Sequence, residues 1–271
     1  MIFLFKKNNL IKYSIDDIKN KNLIIHHHLG LGDYINCNGI VNYLCSIFDK
    51  VIVPLKPNYS KMIRYLYKDN PKVEFLEIGE KYSNFNNKLT SKDFDLQSNY
   101  EYVQIENYSK NNNIEILRIG HEKLSMPIPK SFYDQLGLPF DLSFELFNPP
   151  YDSDKNNEYE SRLKKIYNAE NNYSLTHLES SMSNYEIENL KLENKLSFLK
   201  IEMATDIYKN IFYYLKVLKK AKEIHLVNSS IFCLADRVET NGKLFLHNIN
   251  KNKDLENQIS WFKNWQIVEY D

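Results

Sequence analysis

Ile24-Ile25-His26-His27-His28-Leu29-Gly30-Leu31-Gly32-Asp33-Tyr34-Ile35 is the stretch on which the reading of this chain turns. An apolar run enters a Gly-x-Gly-Asp turn. The residues from Asn38 to Phe48 then place Ile40, Val41, Leu44 and Phe48 on one helical face. Strand, glycine turn and helix start, in that order, are how an open α/β sheet presents a ligand. Gly30 and Gly32 are read as the positions that accept positive φ and close backbone approach. Asp33 or Asn36 is the expected helix cap.

Outward from this turn the pattern repeats. Lys50-Val51-Ile52-Val53-Pro54 reads as a second strand stopped by its proline. Ser60 to Tyr67 reads as a helix ended by Asp69-Asn70-Pro71, and Val73 to Ile78 as a third strand. This β-α-β-α-β rhythm argues for a parallel sheet with right-handed crossovers. Lys81 to Asn113 is Asn- and Ser-rich and poorly periodic, with a short helix expected near Ser91 to Gln97. Asn113 to Gly120 reads as a fourth strand, and Lys130 to Leu136 as a helix after the punctuation of Pro127-Ile128-Pro129. Met1 to Phe5 is either an edge strand or a disordered start.

Asn148-Pro149-Pro150-Tyr151-Asp152-Ser153-Asp154 is turn-rich and marks the expected domain boundary. Beyond it come a helix over Asn156 to Tyr167, a strand over Tyr173 to His177 and a strand within Lys195 to Glu202. An amphipathic helix is expected over Asp206 to Lys220, then a strand over Lys222 to Asn228 and a helix over Ile231 to Val238. Lys243 to His247 reads as a late strand, Ser260 to Trp265 as a final helix, and Gln266 to Tyr270 as a last strand or a tail. The expected architecture is α/β: two Rossmann-like units, residues 1–148 and 149–271, with a cleft between them as the binding site.

Bulk composition excludes several classes. With 35 basic and 35 acidic residues the formal net charge is zero, so no global field favours nucleic acid, and only a local patch is left open for it. Cys37, Cys45 and Cys233 form no ligand-spaced pair, which fits a reducing, cytoplasmic setting rather than a disulfide framework. The short apolar start precedes Lys6 and Lys7, which is the wrong order for a signal peptide. No apolar run is long enough to span a membrane.

Chemistry concentrates in a few places. An acid at a helix start repels phosphate, so Asp33 suits the acceptance of a proton from a hydroxyl; helix capping is the plain alternative. Strand alternation sends His26 and His28 to one face and His27 to the other, which argues against a shared metal. His28 lies nearest the turn. Asn228-Ser229-Ser230 stands between a strand and a helix, where hydroxyls and first-turn amides can take phosphate oxygens or serve simply as an N-cap. Thr176-His177, followed by Glu179-Ser180-Ser181, ends a strand. Arg118 and His121 bracket Gly120, and Arg118 can position an acid or pair on the surface. Tyr and Phe, 20 and 15 in number, are too common to single out a stacking platform.

His28-Leu29-Gly30-Leu31-Gly32-Asp33-Tyr34-Ile35 resembles the N-terminal motif of heptosyltransferase-like glycosyltransferases of the GT-B fold. Ser131 to Phe140 resembles their inter-domain stretch, and Ala221 to Phe232 their donor-side strand, Ser-rich turn and helix. The resemblance implies a metal-independent, inverting transfer of a sugar from a nucleotide-sugar donor to a glycan or lipid-linked saccharide acceptor in polysaccharide biosynthesis. It implies no cofactor beyond the donor substrate. It gives Asp33 the role of base, and Ser229 and Ser230 the donor diphosphate. Gly30, Gly32, His28, Arg118 and Asn228 are further candidate binding residues from the reading of the sequence itself. Relatives carry Lys or Arg near that diphosphate; here Thr176-His177-Leu178 stands instead, leaving His177 or Lys200 for the task. The competing readings are a non-catalytic glycan- or nucleotide-binding protein on the same scaffold, or another nucleotide-dependent α/β enzyme. The latter lacks support from a dinucleotide glycine pattern.

Overall fold

The computed structural model describes residues 12–79, 91–121, 128–180, 196–202, 206–249, 255 and 263–270. The chain forms two compact units, the first running to Phe147 and the second starting at Asn148. Each is an α/β unit built on one parallel sheet, as the strand–helix alternation requires.

In the first unit the strands are β1 (Asn22–His26), β2 (Lys50–Leu55), β3 (Val73–Glu77) and β4 (Glu115–Arg118). Their order is β3-β2-β1-β4, all parallel. The chain steps outward from β1 to β2 to β3, then returns to the other side of β1 for β4. The gap between the carboxyl ends of β1 and β4 is therefore a topological switch point, where open α/β sheets bind ligands. The connections hold helices α1 (Leu31–Asn36), α2 (Asn38–Ile47), α3 (Ser60–Leu66) and α4 (Ser91–Asn112). Helices α5 (Ile128–Asp134) and α6 (Leu142–Glu145) follow β4.

The second unit opens with α7 (Ser153–Ile166), whose N-cap Asp152 accepts the Lys155 amide at 3.0 Å. Its strands are β5 (Tyr173–His177), β6 (Ser197–Lys200), β7 (Glu223–Leu226), β8 (Lys243–Asn248) and β9 (Gln266–Glu269). The order is β6-β5-β7-β8-β9, again all parallel. The switch point here lies between β5 and β7. Helices α8 (Leu215–Lys220) and α9 (Ser230–Arg237) flank β7 in the chain.

Several elements differ from expectation for identifiable reasons. Pro54 does not stop β2, which continues to Leu55. The ladder to β1 ends at Ile52, so past that point the missing proline N–H breaks no bond to β1. The Pro54 carbonyl instead accepts the Tyr34 hydroxyl at 2.6 Å. Helix α4 continues to Asn112 instead of ending near Gln97. Its inward stripe is Gln97, Glu101 and Ile105, all buried, so two polar residues mask the apolar period. They are satisfied: Gln97 Nε2 donates to Glu101 at 2.7 Å, and Lys56 Nζ lies 2.8 Å from the same carboxylate.

The helix expected over Asp206 to Lys220 is helical only from Ile211, first as a 3₁₀ turn and then as α8. The Asp206 carboxylate takes the amides of Tyr208 and Lys209 at 3.0 and 2.7 Å and the Tyr214 hydroxyl at 2.6 Å. These local bonds satisfy the backbone outside a helix, and Lys209 turns at φ 49°. Of the expected final helix, Ser260 to Phe262 lie outside the described residues, as do Met1 to Phe5, Ser181 and Pro127. Lys263 to Trp265 are not helical. Among the described residues no helix is long and apolar enough to cross a membrane. The three cysteines are free thiols.

Gly39 shows how closely α2 and α6 approach. A Cβ there would stand 2.2 Å from the Leu142 carbonyl oxygen and 2.9 Å from the Tyr133 hydroxyl. Alanine gains about 1 kcal/mol of helix propensity over glycine. A backbone overlap of this size outweighs it. Gly39→Ala is expected to destabilise the fold by about 1–3 kcal/mol in urea denaturation; a stabilised variant would mean that the two helices separate freely.

Candidate functional site

At the first switch point the chain leaves β1 through a left-handed residue that is not glycine. Leu29 has φ 58°, while neither Gly30 nor Gly32 has positive φ. This corrects the expectation placed on the two glycines. A left-handed leucine costs about 1–2 kcal/mol. Complete burial of its side chain and a 3.1 Å bond from its amide to His27 Nδ1 offset that cost. Gly30 matters for a different reason: a Cβ there would stand 2.7 Å from Asp33 Oδ2, so a side chain at this position would displace that carboxylate.

The helix also begins earlier than expected. Asp33 sits in the first turn of α1, and its Oδ2 accepts the Gly30 amide at 3.2 Å. The capping reading is thus correct for one carboxylate oxygen. Loss of hydration raises the Asp33 carboxyl, against the lowering influence of His28, the Gly30 amide and Lys56. An acid held in this balance keeps more proton affinity than a solvated aspartate.

Histidines and one arginine gather at the same edge. His26 and Arg118 are register partners at the ends of β1 and β4. The His121 ring lies 4.3 Å from that of His26 and 5.0 Å from that of His28. His27 points to the other face and packs edge-on against Tyr34 at 4.7 Å, as strand alternation requires. His28 Nε2 bonds the Gly120 carbonyl. The Arg118 guanidinium stacks over Tyr102 at 4.2 Å. His26 Nδ1 and Nε2, His121 Nε2 and Arg118 Nε are buried without a hydrogen-bond partner. Buried polar atoms normally find one, so this edge has unused capacity. Burial holds His26 well below the ordinary imidazole range, and burial with the Arg118 charge pushes His121 down to about 3.

At the second switch point Ser229 is the N-cap of α9, its Oγ accepting the Phe232 amide at 3.4 Å. Ser230 opens the helix, and the amides of Ser230 and Ile231 have no intrahelical acceptor by geometry. Asn228 is exposed and both serines are half-buried. His177 ends β5, with Nδ1 2.9 Å from the Ile201 carbonyl. Burial lowers its pKa, so it stands neutral with Nδ1–H donating. Lys200 ends β6 and pairs with Glu202 at 2.5 Å. Asp236 is fully buried and accepts from Trp265 Nε1 at 2.9 Å, which makes it part of the core.

The candidate residues thus fall into two groups. Gly30, Asp33, His28 and Arg118 share the β1–β4 edge. His177, Lys200, Asn228, Ser229 and Ser230 share the edge formed by β6, β5 and β7. Sequence reasoning missed the Lys56–Glu101 pair and Tyr102, which depend on a helix it shortened. It also missed a polar row in the second sheet. Ser174 Oγ donates to Glu223 at 3.1 Å, and His225 Nε2 lies 3.4 Å from Glu223. His225 Nδ1 meets His247 Nε2 at 2.9 Å, and His247 Nδ1 meets the Tyr270 hydroxyl at 2.6 Å. The signal was Glu223-x-His225 at strand spacing within an apolar run. Among the described residues no group of three or more His, Cys, Asp or Glu could hold a metal ion.

No family model matches the chain, and no curated protein sequence matches it. Among solved structures it is similar to a glycosyl transferase family 9 protein from Veillonella parvula DSM 2008. The TM-score is 0.54 at 8% identity, over 97% of this chain and 87% of the other. That likeness shows the fold, two Rossmann-like α/β units of the GT-B type. It does not single out the heptosyltransferases.

The buried histidines carry a stability consequence. His26, His27, His177, His225 and His247 all have lowered pKa values, chiefly through burial, with His247 down to about 3. Below pH 6.5 the unfolded chain binds protons that the folded chain refuses. Their stabilisation is therefore complete above pH 6.5 and is lost as pH falls, by up to about 1.4 kcal/mol per pH unit for each group. Asp33, raised rather than lowered, opposes this as a single group. The unfolding midpoint is expected to drop steeply between pH 6.5 and 5 in thermal denaturation; a flat profile there would show these histidines to be protonated in the folded state.

Proposed function

We propose that this chain is a metal-independent glycosyltransferase that moves a sugar from a nucleotide-sugar to a saccharide acceptor. Asp33 carries the reading. One oxygen of its carboxylate is tied to the Gly30 amide, and loss of hydration raises its proton affinity. It stands at the carboxyl edge of the first sheet beside a switch point, in a two-unit fold like that of a family 9 glycosyl transferase.

In the proposed reaction Asp33 takes the proton of the acceptor hydroxyl as the acceptor oxygen attacks the anomeric carbon. The bond from that carbon to the phosphate oxygen breaks, and the nucleoside diphosphate leaves with the electron pair. A single displacement of this kind inverts the anomeric centre. Ser229, Ser230 and the first-turn amides of α9 receive the departing diphosphate, with the helix dipole favouring its charge. His177, neutral, is a hydrogen-bonding partner for the donor, and Asn228 flanks it. Arg118, with His28 and the unpaired nitrogens of His26 and His121, positions the acceptor.

One observation favours a second reading, donor binding without turnover. Lys200 is paired with Glu202 and His177 is held neutral, so the second edge carries little positive charge for a leaving diphosphate.

Nucleotide-sugars that bind should raise the unfolding midpoint of the chain. With such a donor and its acceptor, Asp33→Asn is expected to reduce transfer by about 10²- to 10⁴-fold while donor affinity is kept. Unchanged turnover would remove Asp33 from the mechanism, and donor binding with no transfer by the wild type to any saccharide acceptor would select the second reading. Ser229→Ala should weaken nucleoside diphosphate binding and cost about 1 kcal/mol of stability through the lost cap. Isothermal titration and urea denaturation measure the two effects separately.

A further inference from the structure

The polar row in the second sheet ends at the switch point. All five strands are parallel, so their carboxyl ends share one edge. Leu178 follows β5 there and Val227 follows β7, and the Val227 amide bonds the His177 carbonyl at 3.3 Å. These two buried residues form a small apolar cluster, and Ile249 and Tyr270 pack against it. Tyr270, just past β9, therefore reaches back across the sheet edge to the residue after His177 and the residue before Asn228-Ser229-Ser230. It is half-buried, so part of its surface remains open.

Its hydroxyl is fixed from below. The Glu223 carboxylate accepts from Ser174 and from His225 Nε2–H, which leaves His225 Nδ1 as an acceptor. His247 must then donate from Nε2, which leaves its Nδ1 to accept from the Tyr270 hydroxyl. Each bond sets the tautomer of the next. His225 is further held by stacking on Phe245, with ring centroids 4.5 Å apart and planes within 3°. The tyrosine is thus anchored by its polar end to a buried and fully directed chain. Ordering this ring in advance lowers the entropy cost of using it to bind.

We propose that Tyr270 is the aromatic platform for the nucleobase of a nucleoside diphosphate whose phosphates lie at Ser229 and Ser230. This rests on the donor-side reading given above. Glu223, His225 and His247 are positioning residues that act through Tyr270. An aromatic ring beside a helix N-terminus at a switch point supplies what a phosphate cradle lacks, a surface for the planar end of the ligand.

The test is isothermal titration of the wild-type chain, Tyr270→Phe, Tyr270→Leu and Tyr270→Ala with uridine diphosphate, adenosine diphosphate and inorganic pyrophosphate. Loss of the ring in Tyr270→Ala or Tyr270→Leu is expected to weaken the preferred nucleoside diphosphate by about 5- to 150-fold. Pyrophosphate affinity should stay unchanged. Tyr270→Phe keeps the ring and should retain most of the binding. The leucine variant keeps an apolar cover on Leu178 and Val227, so the test survives if the alanine variant fails to fold. Equal weakening of nucleotide and pyrophosphate, or unchanged nucleotide affinity without the ring, would overturn the proposal while leaving the donor reading intact. Failure of the wild type to bind any of the three ligands would remove the donor reading and this inference with it.

Discussion

Parallel pairing within each sheet is the constraint from which the rest follows. When each strand runs in the same direction as its neighbour, every carboxyl end lies on one edge, and every loop that leaves a strand starts there. In the first unit the chain reverses its order of addition around β1, and in the second around β5. These reversals leave two places where adjacent strands send their outgoing loops apart. The Gly-Asp turn and Arg118–His121 flank the first. His177 and Asn228–Ser230 flank the second. The location of polar chemistry in this protein is a result of topology before it is a property of any side chain.

At each switch point, polar groups at the edge are partly occupied in holding the backbone. Asp33 bonds the Gly30 amide with one oxygen, and Ser229 caps α9 with its hydroxyl. The groups differ in what remains. The first edge keeps unpaired nitrogens on His26, His121 and Arg118. The second keeps helix amides and neutral donors, and its main cation near β6 already faces Glu202. An arrangement with its charge on one edge and its amides on the other suits two ligands of different character better than one ligand bound twice. Glu223, by contrast, is met inside the sheet by Ser174 and His225.

Much of the fold was legible because strand and helix periods are visible wherever burial is by apolar residues. Tyr173 to His177 reads as a strand and is one over those residues; Lys50, Val73 and Lys243 each begin a strand where expected. Two of the failures share one cause, polar side chains in structural roles. Gln97 and Glu101 hide the buried stripe of α4. Asp206 and Asn210 replace a helical turn by side-chain bonds to the backbone. Leu29, an apolar residue, takes the left-handed conformation that glycine was expected to supply. The site followed the same rule. The turns that bear Asp33 and Ser229 stand out in sequence because glycine and serine punctuate them. Tyr102, Lys56 and Tyr270 do not, because their neighbours come from distant strands and helices, and tyrosine and lysine are abundant throughout this chain.

The central claim is a division of labour, with proton transfer assigned to the first unit and phosphate recognition to the second. Hydrogen–deuterium exchange on the full chain, with and without a saturating nucleoside diphosphate, tests it most directly. The account predicts slowed exchange over residues 227–233, where the first-turn amides of α9 lie, with little change over residues 29–36. Protection confined to residues 29–36 would contradict it.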